Sequence, residues 1–324
     1  MKKKLFLFTL VFFCLTANAL SIDDINIRDP YILPIPEDGT YYMYCTSSQT
    51  DGNGKTHGGV AAYKSRDLKN WEGPVQVFTV PDSNLLQGGI WAPEVHKHNG
   101  HYYLFATINS DVIWKKQSTE YPSYQFRGTQ IFHSDSPEGP FMPFSAFPHT
   151  PLDQMALDGT LWIENGKPYM IYCHEWVQVN DGTMELVSLK DDLSATDSTP
   201  TRLFNASAAP WASPVKTDSK GVDSYVTDGC FLYRTKTGSL LMIWSSFSNG
   251  NYAVGIAEST SGTVFGPWKQ QTEPLFTKDG GHGMIFTAFD GKPYIVLHQP
   301  NNPGGAERAK LFELEDLGHT IKIK

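Results

Sequence analysis

Five times along the chain a glycine turn leads into an aromatic or apolar run: "DGTYYMYCT", "NGHYYLFAT", "NGKPYMIYC", "TGSLLMIWS" and "DGKPYIVLH". Each run is preceded by another apolar or alternating stretch: "PYILPI", "WAPEVHKH", "DGTLWIE", "DGCFLYR" and "GMIFTAF". Asp-Gly, Asn-Gly or Thr-Gly between two such stretches is the signature of a β-hairpin. After four of the hairpins comes a second pair of strands with an acidic, Pro/Gly-rich tail: "GVAAYKSRDLKNWEGP", "TQIFHSDSPEGPFMP", "MELVSLKDDLSATDSTP" and "YAVGIAESTSGTVFGPW". A four-strand unit returning roughly every sixty residues is one blade of a β-propeller. Helical periodicity is nearly absent. The expected fold is therefore all-β, a five-bladed β-propeller. No linker or composition break divides residues 20–324, which read as a single catalytic domain.

The innermost strand of each propeller blade lines the central axis, and its first residues open onto one mouth of the channel. Those starts are Asp29, the Ala92-Pro93-Glu94 stretch, Asp158, Asp228 and His282. One Asp before Pro or Gly is an ordinary turn residue, its side chain bonding the following amides. Three at equivalent positions of a repeat converge on one cavity. Crowded carboxylates repel, so at least one has a raised pKa and serves as an acid. A base that activates water and an acid that protonates a leaving oxygen are what glycosidic bond hydrolysis requires.

The flanking signals agree with such a task. Residues 1–19 have a basic start, an apolar run and a small-x-small end at Ala17-Asn18-Ala19, the form of a secretory signal peptide. Cys14 lacks the small residues before it that a lipidation site prefers, and the apolar run is too short for a membrane span. Export follows, to the periplasm or the extracellular space. Charge is low, 19% of residues with a net −8, and no basic stripe occurs, which argues against nucleic acid and anionic membrane. Aromatics reach 13%, suiting both an all-β core and sugar stacking. Cys45, Cys173 and Cys230 remain after cleavage; they lack disulfide or zinc spacing and read as buried thiols.

The motifs "RDPYI", "WAPEV", "LDGTLW", "VTDGCFLYR" and "GGHGMIF", one per blade, resemble glycoside hydrolase family 43 over essentially the whole mature chain. That family comprises five-bladed propellers such as arabinanases, α-L-arabinofuranosidases and β-xylosidases. The resemblance implies an inverting mechanism with Asp29 as general base and Asp158 as the carboxylate that orients the acid and raises its pKa. It implies Trp91 as an apolar wall for sugar, Arg308 reaching in from the last blade, and His282 near an axial calcium ion or water cluster. No cofactor is required, and no zinc or calcium-loop spacing is present.

The chain departs from the family at its general acid. Asp228-Gly229-Cys230 stands where Glu-Gly-Pro is usual, so the carboxylate is one methylene shorter. Two readings stay open. Asp228 serves as the acid, or Glu175 in "YCHEWVQ" does, brought back to the mouth by the second strand of blade three and flanked by His174 and Trp176 as further substrate contacts. Strand alternation sets Glu94 opposite Pro93, where it binds a sugar hydroxyl or braces the blade. The leading function is removal of terminal α-L-arabinofuranose from plant cell-wall polysaccharide. β-Xylosidase or arabinanase activity comes second, and a catalytically idle sugar-binding propeller is the alternative of another class. An inverting phosphorylase would need a cationic cluster that the strand starts lack. Two inserts, "DVIWKKQSTEYPSYQF" and "NASAAPWASPVKTDSKGVDSY", are expected to wall off one end of the pocket. Asp29→Ala is expected to abolish hydrolysis and leave the fold intact.

Overall fold

The computed structural model describes residues 19–117 and 120–324; the expected signal peptide, residues 1–19, lies outside them but for its last residue. Five antiparallel sheets follow one another in chain order. Their innermost strands are Tyr31–Ile35, Ile90–His98, Ala156–Glu164, Asp228–Arg234 and Gly281–Thr287. Each pairs with the strand that follows its glycine turn, and two further strands complete the blade, with Leu20–Ser21 added as a fifth strand at the outer edge of blade one. The fifth blade also has its outer pair, Arg308–Asp316 and Ile321–Ile323, which carries no recognisable tail in the sequence. The chain is a five-bladed β-propeller.

The turns form for the reason the sequence suggests. Asn99-Gly100 and Asn165-Gly166 both have positive φ at both residues, the mirror-image turn that follows the twist of the strands. Because blades stack face to face, a middle strand is apolar on both sides; Leu240–Trp244 is buried at every residue. Separate apolar clusters fill the gaps between blades two and three, three and four, and four and five. The cluster around blade one also takes in blades two and five. Cys45, Cys173 and Cys230 are buried free thiols within this packing.

The start of the inner strand is the feature that builds the mouth. In blades two to five its register with the next strand breaks across the same two residues: Ala92-Pro93, Asp158-Gly159, Gly229-Cys230 and His282-Gly283. The first residue of each pair has a left-handed backbone, with φ of 44°, 57°, 38° and 48°, and Asp29 of blade one matches at 51°. That conformation costs a non-glycine residue about 1–2 kcal/mol, and four of the five positions accept the cost. The true equivalents are thus Asp29, Ala92, Asp158, Gly229 and His282. Asp228 sits one residue earlier, aligned with Trp91, Leu157 and Gly281. Gly229 is glycine for a second reason: a Cβ there would lie 2.6 Å from Cγ of His282.

The two inserts meet each other beside Trp176, and neither supplies a residue to the lining of the mouth cavity. Residues 111–117 and 120–126 belong to an arm that extends two strands of blade two, His101–Lys115 and Tyr124–Ser134. Residues 205–225 include a small hairpin, Lys216–Thr217 with Asp223–Ser224. Ser219 Oγ donates to Glu120 at 3.1 Å, Tyr121 pairs with Ser224 at 3.2 Å, and the Tyr121 ring lies 6.2 Å from that of Trp176.

Candidate active site

A cavity of about 310 Å³ opens at the mouth, lined by Arg28, Asp29, Trp91, Leu157, Asp158, Glu175, Trp176, Val226, Thr227 and Asp228. It meets a groove of about 700 Å³ over blades one and two, which shares Arg28, Asp29 and Trp91 and runs past Ser47, Gln87 and Asp111. The pocket is closed on the blade-three side by Leu157, Glu175 and Trp176 and continues into open groove on the other. Trp91 stands half-exposed where the two spaces join.

His282 organises the axial side. Its buried Nδ1 lies 2.9 Å from Asp228 Oδ1, 3.3 Å from Asp29 Oδ1 and 3.9 Å from Asp158 Oδ2. Its backbone N–H donates to Ser245 Oγ at 2.8 Å, which fixes the ring's base. Burial alone would lower the imidazole, but Asp29, Asp228 and Asp158 raise it well above its ordinary value, so it is an imidazolium. Burial would raise Asp29; the His282 charge, with the His298 ring at 3.1 Å, outweighs it and holds that carboxyl below the usual range, while His298 Nδ1 accepts the Asp29 backbone N–H at 3.3 Å. Asp228 is likewise held down, its burial overcome by the His282 hydrogen bond and charge. Asp158 is pushed well up, by burial first and by Asp228 second. A neutral Asp158 relieves the repulsion among three carboxyl groups gathered around one cation.

Glu175 is held differently. It occupies the N-cap position of the four-residue helix Trp176–Val179, yet its side chain caps nothing. The carboxylate turns to Arg127, with Oε2 2.9 Å from Nη1. Burial is the main influence, Arg127 opposes it, and Asp228 adds to it; Glu175 is raised to about 7. Asp228, rather than Asp158, is the carboxylate charge acting on Glu175.

Several expected contacts fall elsewhere. Arg308 is outside the pocket: its guanidinium donates to the carbonyls of Asp23 (2.9 Å) and Glu307 (2.8 Å), tying the N-terminal segment to blade five. Arg28 lines the pocket instead, braced by Glu307 and Asn301. Glu94 is buried below the mouth and pairs with His96 at 2.8 Å, which in turn pairs with Tyr31 at 3.2 Å. It braces the blade. His174 pairs with Gln178 at 2.8 Å, and Gln178 donates to the Asp153 carbonyl, so His174 supports the helix under Glu175 and does not line the cavity. Trp91, Trp176, Asp29, Asp158, Glu175 and Asp228 do meet in one space. Arg127 and His298 carried no signal beyond their presence in ordinary strands, whereas Arg28 adjoins Asp29 in the first motif.

Asp158, Asp228 and His282 offer three potential ligand atoms within 4.8 Å of one another. The set supplies one nitrogen and two carboxylates, so an axial calcium ion, which takes 6–8 oxygen ligands, would draw most of its coordination from water. No step is routed through a metal.

A propeller whose mouth gathers an ionised carboxylate, a protonated one and aromatic walls defines a glycosidase site. The family model described as glycosyl hydrolases family 43 matches residues 24–315. The chain belongs to that family and is a glycoside hydrolase. Among solved structures it is similar to an endo-arabinase from Bacteroides thetaiotaomicron, 36% identical with TM-score 0.79, covering 91% of this chain and 96% of that one. An endo-1,4-beta-xylanase from the same organism shares the fold at 23% identity and TM-score 0.69, covering 94% and 96%. An extracellular exo-alpha-(1->5)-L-arabinofuranosidase of Cellvibrio japonicus is 23% identical, covering 86% of this chain and 80% of its own length.

Proposed function

We propose that this enzyme removes terminal α-L-arabinofuranosyl residues from plant cell-wall polysaccharide, with inversion, using Asp29 as base and Glu175 as acid. The observation carrying this reading is that one cavity is lined by both an Asp held ionised and a Glu raised to about 7. A terminal sugar fits the walled cavity against Trp91 and Trp176, and the rest of the substrate leaves along the groove over blades one and two. The water oxygen bonds to the anomeric carbon while Asp29 takes its proton. The glycosidic C–O bond breaks, its electron pair goes to the leaving oxygen, and Glu175 supplies that oxygen's proton. Asp228 is ionised and bonded to His282, so its part is to keep Glu175 protonated and to hold His282. Asp158 supports the pair from below.

The arabinose preference draws support from the names of the relatives, one exo-arabinofuranosidase and one endo-arabinase. Export draws support from the N-terminal pattern and from the extracellular relative. Among the described residues, no helix is long and apolar enough to cross a membrane. The test is incubation with aryl α-L-arabinofuranoside, aryl β-D-xyloside and linear arabinan, following products by NMR. Release of single arabinose units with inverted configuration is expected. Xylose release, internal cleavage of arabinan, or sugar binding without turnover would each replace this reading with a named rival.

A further inference from the structure

Arg127 lies in the third strand of blade two, on the arm beside the pocket, and is buried. Its guanidinium carbon sits 4.6 Å from the centre of the Trp91 ring, and its Nη1 is 2.9 Å from Glu175 Oε2. The only hydrogen bond it makes among the described residues is from Nη2 to Gln125 Oε1, at 3.3 Å, and its Nε has no partner. An arginine buried for structural reasons usually satisfies its five donors on carbonyls and carboxylates. This one leaves donors unspent while its flat face covers the sugar wall.

We propose that Arg127 is the positioning residue for proton delivery: stacked on Trp91, it fixes the Glu175 carboxyl and carries the counter-charge for the carboxylate left after the proton departs. This rests on the reading of Glu175 as the acid. The arginine faces Oε2 as an ion-pair partner, and that oxygen makes no hydrogen bond among the described residues; Oε1 is left for the transferable proton. As the C–O bond breaks, that proton moves to the leaving oxygen, and the negative charge appears on a group already facing a fixed cation. Preorganised charge of this kind stabilises the transition state without reorganisation. The charged groups facing Glu175 are Arg127 from blade two and Asp228 from blade four; His174, next in sequence, points to Gln178. Because the same guanidinium backs Trp91, the sugar wall and the proton donor share one support.

The experiment compares Arg127→Met, Arg127→Lys and Glu175→Gln with the native enzyme on aryl α-L-arabinofuranosides of graded leaving-group acidity and on arabinobiose, over a range of pH. Arg127→Met should lose about 10²-fold in kcat/KM on arabinobiose, and under about tenfold on a dinitrophenyl arabinoside, whose leaving group needs no proton. The alkaline limb of its profile should move up by about one pH unit or more, because the cation that favoured ionised Glu175 is gone. Arg127→Lys should restore part of the arabinobiose rate and keep a raised KM, since an ammonium does not replace the flat stack on Trp91. Equal loss on all leaving groups with an unmoved limb, in both arginine variants, would reduce Arg127 to a structural support and overturn the proposal. Glu175→Gln separates the two failures. If it shows the leaving-group dependence and the arginine variants do not, only the role of Arg127 falls. If it keeps full activity on arabinobiose, the assignment of the acid falls.

Discussion

Asp29 and Glu175 face one cavity but are held in opposite protonation states by different kinds of support. Asp29 stands on a strained strand start at the propeller axis, with His282 at 3.3 Å and His298 at 3.1 Å. Glu175 stands on a short helix at the rim, beside aromatic rings, with one arginine and the repulsion of Asp228. The His282 cation, with the His298 ring beside it, outweighs burial at the axis; one guanidinium does not at the rim. The lesson is that the number and reach of the neighbouring charges, and not the kind of carboxylate, divide base from acid.

The comparison breaks most sharply at the axis. Asp29→Asn should lower kcat by about 10⁴-fold, at the upper end of general-base contributions, with the melting temperature measured alongside. Asparagine is the right replacement because the backbone is left-handed there, which Asn tolerates and Ala does not. The Asp29→Ala variant should also lose about 1–2 kcal/mol of stability through its left-handed backbone, with the fold retained as the sequence leads one to expect. Glu175→Gln should lower kcat/KM on arabinobiose by about 10³-fold. In the native enzyme Glu175 must be protonated, so kcat/KM should fall as pH rises through about 7. Asp29 must be ionised, so the acid limb should lie below the ordinary carboxylate range.

Smaller changes sharpen the same contrast. His282→Asn should destabilise the fold by about 3 kcal/mol, because it strands two buried carboxylates without their cation, and chemical denaturation measures this. It should also move the acid limb upward, since Asp29 loses its main counter-charge. Gly229→Ala should cost about 1–3 kcal/mol through left-handed strain and the clash with His282. Arg308→Ala should leave kcat/KM within about twofold, as expected of a surface group remote from the chemistry.

The fold was legible because glycine turns and doubly apolar strands recur, and both are local chemistry. Asp29, Asp158 and His282 were legible because they head repeats. Asp228 was misaligned by one residue, since aligning on carboxylates followed the chemistry, whereas the backbone repeats its left-handed residue and Gly229 fills that place. Arg308 was read as a site residue because the family resemblance implied an arginine reaching in from the last blade; its bond to the Asp23 carbonyl depends on chain closure, which no local pattern encodes. Arg127 comes from a neighbouring blade within "YQFRGTQ" and reaches Glu175 only through the packing of two blades. Its role is a property of tertiary structure.

The central claim is that Glu175, and not Asp228, gives the proton. The direct test is the dependence of kcat/KM on leaving-group acidity for Glu175→Gln beside Asp228→Asn. The account predicts a steep dependence for Glu175→Gln, with near-native rates on dinitrophenyl arabinoside, and a loss for Asp228→Asn that is similar across the series. A steep dependence for Asp228→Asn with a flat one for Glu175→Gln would contradict it.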